Sequence, residues 1–194
     1  MPAEMMTNSN LVEIITSQLA VIELLIGRIA PATTRNLIEM ILQTDKVFVT
    51  GQGRSGLVAR CLATRLAQMG FNVYIPGHAT CQKIGAGDLL VAISGSGTTR
   101  TTVEFARISQ QAGAKVVVLT ASRECDLAQL ANEVVVIPAN DEDIRKKCKY
   151  IVGPNNNTLF EEAMLLYTDA LVYILLERKG IPKSIIDQRH TNLE

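Results

Sequence analysis

Two short loops in this sequence hold the residue types from which an anion site is built. In Ser94-Gly95-Ser96-Gly97-Thr98-Thr99, hydroxyl side chains alternate with and then follow glycine. Glycine lets the main chain approach a ligand closely, and a helix starting here adds its unbonded N–H groups, so the loop can cradle a phosphate. No Lys stands where a nucleoside triphosphate loop requires one. Further upstream, Gly51-Gln52-Gly53-Arg54-Ser55-Gly56 fits the G-x-G-x-x-G dinucleotide fingerprint. That fingerprint also needs an acidic residue at the end of the following strand to hold ribose hydroxyls. Here the strand end reads Tyr74-Ile75-Pro76-Gly77-His78, with no Asp or Glu. The loop is therefore read as a tight turn delivering Gly53, Arg54 and Ser55 to the edge where Ser94, Gly95, Ser96 and Thr99 also converge. The bland alternative for Ser94–Thr99 is an ordinary Ser/Gly-rich turn between strand and helix.

Three more side chains could move protons or meet a ligand. Glu161 belongs to Thr158-Leu159-Phe160-Glu161, at the start of a helical pattern. Spacing alone favours a capping box, with Thr158 as N-cap and Glu161 reaching back to its N–H. The competing reading makes Glu161 a carboxylate base beside a carbonyl substrate, with Glu162 pointing elsewhere on the helix as a built-in control. His78 follows the second strand, near the expected ligand edge. His190 lies in the polar stretch Asp187–Glu194, where a histidine is ordinarily solvated.

The elements that must position these residues alternate from Val47 onward. Strands are expected at Lys46–Thr50, Phe71–Ile75, Leu89–Ser94, Lys115–Thr120 and Glu133–Pro138, with helices near Ser55–Met69, Thr98–Ala112 and Glu124–Ala131. Continuous apolar runs such as Val116–Leu119 and Val134–Ile137 imply strands covered on both faces, the mark of a parallel sheet between helices. Two helical patterns precede this unit. One runs from Leu11 to Ile29 and stops before Pro31; the other spans Leu37–Leu42. Residues 139–157 read as a loop, and a long helix should run from Thr158 to Lys179, ended by Gly180 and Pro182. The first helix carries apolar residues on more than one face, which hints at subunit contacts.

Length and composition narrow the function classes. The 194 residues, 47% hydrophobic, suit one domain over 1–194 with a sizeable core. Nineteen basic residues balance nineteen acidic ones, which gives no electrostatic reason to expect nucleic acid or a membrane surface. The apolar stretches 11–30 and 159–176 are interrupted by Glu13, Gln18, Glu23, Glu161, Glu162 and Asp169, so they are expected to be helices of the fold and not membrane spans. Residues 1–10 lack the pattern of an export signal, so a cytoplasmic location is expected. Cys61, Cys81, Cys125 and Cys148 are widely spaced and are read as reduced thiols. With only two histidines and no Cys pair at ligand spacing, no metal is expected.

Taken in this order, the loops resemble the sugar isomerase domain, a family of phosphosugar-binding α/β folds, and within it the 6-phospho-3-hexuloisomerases. The resemblance spans nearly the whole chain: Gly51–Gly56 with Leu57-Val58-Ala59, Met69–Val73, Gly87-Asp88-Leu89, Ser94–Thr99, Thr158–Glu161 and Arg189–Glu194. The last segment is the most specific of these. The resemblance implies a three-layer sandwich around a five-stranded parallel sheet of flavodoxin-like order, with helical N- and C-terminal extensions. It also implies a cytoplasmic homotetramer with sites between subunits, acting without cofactor on a sugar phosphate. The implied reaction converts 3-hexulose 6-phosphate to fructose 6-phosphate, a step of the ribulose monophosphate pathway, through an enediol(ate). Carried over by position, Ser55, Ser94, Ser96 and Thr99 would bind phosphate and Arg54 would line the sugar site. Glu161 would be the base, and His190 would enter from a neighbouring subunit. This chain departs from the usual pattern at His78, Cys81 and Gln82, at Thr98 and at Asn157. A sugar-phosphate sensor without turnover, or an isomerase of another phosphosugar, are the alternatives.

Overall fold

The computed structural model describes residues 8–147, 150 and 157–192. Its centre is a parallel sheet in the order β2-β1-β3-β4-β5, formed by β1 (Val47–Gly51), β2 (Val73–Tyr74), β3 (Leu89–Ile93), β4 (Lys115–Thr120) and β5 (Glu133–Val136). This is the flavodoxin-like order, in which ligands meet the sheet where β1 and β3 diverge to opposite sides. The register is unbroken across the middle: Val47 pairs with Leu89, and Leu89 with Lys115.

The apolar runs explain the layering. Every residue of β3 is buried, and because strand side chains alternate, the run feeds two cores at once. Leu89, Val91 and Ile93 join one core with helices α1 (Asn8–Gly27), α2 (Pro31–Leu42), α3 (Gly53–Gln68) and α7 (Asn157–Lys179). Leu90 and Ala92 join the other, under α4 (Arg100–Gln111) and α5 (Asp126–Gln129). Each large aliphatic side chain so buried contributes about 1.5–3 kcal/mol, which is why both faces must be roofed. The expected three-layer α/β architecture is the one observed.

Several boundaries differ from the sequence reading, each for a local reason. β2 is shorter than Phe71–Ile75 because it is an edge strand, half-buried and followed directly by Ile75 and Pro76. Pro31 does not merely end the first helix; it opens α2 at its first turn, where its fixed φ and missing N–H cost nothing. The expected loop after β5 contains a one-turn helix, α6 (Glu142–Arg145). Asp141 caps it, accepting from the Asp143 and Ile144 N–H groups at 2.9 and 3.2 Å, and pairs with Arg28 of the α1–α2 connection at 2.5 Å. The polar C-terminal stretch likewise begins inside a helix, α8 (Lys183–Gln188). Residues 148, 149, 151–156, 193 and 194, hence Cys148, Asn155 and Asn156 of the Asn-rich run and the last two residues of the terminal motif, lie outside the described residues, as do 1–7.

Helix α1 is the most apolar and least covered of the long helices. By length and composition Asn10–Gly27 suffices to cross a membrane, Glu13, Gln18 and Glu23 notwithstanding, and only 17% of it is buried. Its inner side (Val21, Ile22, Leu25) packs into the core beside α7. Leu11, Val12, Ile15 and Leu19 remain 45–61% exposed.

Candidate active site

At the C-terminal edge of the sheet, β1 runs through Gln52 into α3, and β3 runs through Ser94–Thr99 into α4. The first turn is tight because its glycines leave no room. A Cβ on Gly51 would meet the Ser55 carbonyl at 2.8 Å, and one on Gly56 would meet the Gly51 carbonyl at 2.8 Å. The fingerprint spacing here serves close helix–strand packing, one of its roles in dinucleotide folds. In the second turn, the Ser94 hydroxyl accepts from the Gly97 N–H at 3.2 Å and bonds the Thr99 hydroxyl at 3.1 Å. The Ser96 hydroxyl accepts from the Thr98 N–H at 3.3 Å. Ser94 is buried and braces the loop from within, whereas Ser96 is exposed at its tip.

These turns and the start of α7 enclose a cleft of about 330 Å³ lined by Gln52, Gly53, Arg54, Ser55, Ile93, Ser94, Gly95, Ser96, Thr99, Thr158 and Glu161. Three helix N-termini, those of α3, α4 and α7, open on it. Their aligned peptide dipoles and N–H groups favour an anion there. The Arg54 Nε donates to Glu161 Oε2 across the cleft; the Glu161 side chain is 10% exposed and that of Arg54 60%. A buried carboxylate thus sits at the lip with an exposed guanidinium laid over it from the solvent side. Glu162, the next residue, does not line the cleft. Burial pushes its carboxyl above the usual range, against the pull of Arg54 and with the push of Glu161.

Eight sequence-predicted residues therefore come together: Gly53, Arg54, Ser55, Ser94, Gly95, Ser96, Thr99 and Glu161. The capping-box reading of Glu161 gives way, because α7 already begins at Asn157 and the carboxylate turns to Arg54. Two predicted residues are elsewhere. His78 lines a separate cleft of about 280 Å³ on the β2 side, with Arg60, Thr101 and Phe105; Gln52 borders both clefts. His190 lies in a third cleft, of about 550 Å³, beside Cys61, Thr64, Arg65 and Gln68 on the C-terminal half of α3 and Asp169 on α7. Arg54 and Arg65 are eleven residues apart on one helix, about 16 Å at the α-helical rise. His190 is thus placed well away from its own chain's cleft. Sequence reasoning passed over Gln52 as a lining residue; its place between two glycines, with no apolar partner in the pattern, was the available signal. Cys61, Cys81 and Cys125 carry free thiols, exposed, half-buried and buried in turn.

The chain matches the SIS domain over residues 40–178. The 3-hexulose-6-phosphate isomerase of Mycobacterium gastri is 36% identical over 168 residues, covering 87% of this chain and 83% of that protein. The 3-hexulose-6-phosphate isomerase of Bacillus subtilis (strain 168) is 33% identical over 158 residues, 81% and 85% of the two chains. A crystal structure described as that of a hypothetical protein superposes with a TM-score of 0.84 at 29% identity, over 96% of this chain and 98% of the other. With the cleft at the sheet edge, the expected fold and these relatives, the chain belongs to the SIS domain family, among its 3-hexulose-6-phosphate isomerases.

Proposed function

We propose that the cleft isomerises 3-hexulose 6-phosphate to fructose 6-phosphate, with Glu161 as the proton-transferring base. The observation that carries this reading is one carboxylate, Glu161, facing two hydroxyl-bearing helix N-termini across a single cleft. Ser55, Ser96, Thr99 and the backbone of Gly53 and Gly95 would hold the phosphate, with Ser94 bracing the loop. That anchors the substrate by an end remote from the reacting carbons. A substrate oxygen then takes Arg54 away from Glu161. The freed carboxylate removes the proton at C2, a C2–C3 enediol(ate) forms, and the proton returns to C3 while the hydroxyl proton passes from O2 to O3. Arg54, beside the oxygen on which charge develops, would stabilise the enediolate. The balance needs no oxidant and no reductant.

The proposal extends to assembly. His190 would act as an acid in the cleft of a neighbouring copy, since its own chain holds it at the far end of α3. The exposed apolar faces of α1 (Leu11, Val12, Ile15, Leu19) and α7 (Leu166, Tyr173, Ile174) would form the contacts of a homotetramer.

The decisive experiment is a coupled assay for fructose 6-phosphate with 3-hexulose 6-phosphate generated in situ. Turnover that depends on Glu161 supports the reading. No turnover, with thermal stabilisation by a different sugar phosphate, overturns it in favour of another substrate or a sensor.

A further inference from the structure

The Ser94–Thr99 loop rests on a floor that does not itself line the cleft. Gly97 stands at φ 66°, and a Cβ there would run into the thiol of Cys125 and lie 3.1 Å from the Thr120 hydroxyl. The thiol is buried, donates to the Ser122 carbonyl at 3.3 Å and lies 3.9 Å from the Thr120 hydroxyl. Thr120 is fully buried at the end of β4, and its hydroxyl donates to the Gly95 carbonyl at 3.4 Å. The same carbonyl accepts from the Ala121 N–H at 3.2 Å, and the Gly97 carbonyl accepts from the Leu127 N–H at 3.0 Å. Both glycine carbonyls of the loop are thus tied down to the β4–α5 segment, and sulfur fills the space beneath Gly97. In an interior packed to crystal density, such a contact sets the height of whatever lies on it.

We propose that Thr120 and Cys125 are positioning residues for substrate binding: acting through Gly95 and Gly97, they set how far the loop stands into the cleft and so its affinity for phosphate. This rests on the reading of Ser94–Thr99 as the phosphate loop. Glu161 and Arg54 are carried by α7 and α3, so a change in loop height acts on binding and spares proton transfer.

The test measures kcat, KM for 3-hexulose 6-phosphate and the inhibition constant of inorganic phosphate in the full-length protein. Cys125→Met adds bulk under Gly97 and should push the loop out of place, so KM and the phosphate constant should rise together by about tenfold, with kcat within about twofold. Cys125→Ser, nearly the same size, should restore both. Ser96→Ala is run alongside. If it leaves the phosphate constant unchanged, the loop is not the phosphate site and the proposal falls with that reading. If Ser96→Ala weakens phosphate and Cys125→Met does not, or lowers kcat alone, the reading stands and the proposal is overturned. Should Cys125→Met fail to fold, Thr120→Val decides: it removes the bond to Gly95 at similar volume. A rise of about threefold in the phosphate constant supports the proposal; no change overturns it.

Discussion

The lip of the cleft and the C-terminal tail make an instructive pair, because each carries one proton-transfer candidate and they are built in opposite ways. Glu161 is buried on the first turns of a 23-residue helix whose flank (Leu159, Phe160, Ala163, Met164) is sealed in the main core. Its partner Arg54 projects from the turn between Gly51 and Gly56, at each of which a Cβ would meet a backbone carbonyl at 2.8 Å. His190 is exposed, just beyond a six-residue helix with no buried residue. The tail's attachment is thinner: Ile181 and Ile186 pack half-buried against the edge of that core, and the Arg189 Nη1 donates to the Gln68 carbonyl at 3.2 Å, over Gly70. The lip is positioned by a core that any single copy possesses. The tail is tethered at the far end of α3, where its own chain's cleft cannot use it. On the proposed function, one chain would build the binding half of a site and hold out an acid for another.

Breaking the lip should have the largest effect. Glu161→Gln should lower kcat by about a thousandfold, the range of a lost general base, with KM and phosphate inhibition nearly unchanged in steady-state assays. Near-normal kcat would return Glu161 to a structural role. Next comes His190→Gln, expected to lower kcat by about a hundredfold. Co-assembling Glu161→Gln and His190→Gln chains sharpens the contrast: mixed oligomers should regain activity through sites that pair an intact Glu161 with an intact His190. Mixtures as inactive as either variant would show that the two residues serve one chain's cleft.

Arg189→Ala tests the tether and not the acid. Releasing the tail should cost about tenfold in kcat, the scale of misplacing a catalytic group by a small distance. Melting temperature should move by no more than about 2 °C, since the guanidinium is exposed. A large fall in melting temperature would make Arg189 a structural clamp instead.

The smallest effect returns to the lip, one residue along. Burial holds the Glu162 carboxyl above its usual range, with Arg54 opposing and Glu161 adding to the rise. The folded state therefore prefers the neutral acid. Its stability falls as pH climbs from the ordinary glutamate value through the raised folded value, and above that the penalty is complete. Glu162→Gln should raise the melting temperature slightly at neutral pH, by about 2 °C at most, and the gain should vanish below about pH 4. Activity should not change. A gain that persists in acid would assign it to packing and not to charge.

What could be read locally was read correctly in kind. Short, β-branched apolar runs such as Val116–Leu119 point to strands roofed on both faces, and Gly/Ser clusters after β1 and β3 to turns, so the parallel sheet and the two loops at its edge are legible in the sequence. Helix starts set by a side chain or a ring, as at Asp141 and Pro31, were less so, because one residue can serve either to end an element or to open one. Whether Glu161 caps its helix or faces the cleft was beyond sequence altogether. Thr158 and Glu161 have the spacing of a capping box, and what turns the carboxylate away is Arg54, 107 residues earlier in the chain. Such encounters are set by strand order, which depends on burying both faces of the sheet at once. The same holds for the thiol beneath Gly97 and for His78 and His190 falling into clefts of their own. Sequence alone determined which chemistry this protein carries; the folding of distant segments onto one sheet edge decided which of those groups meet.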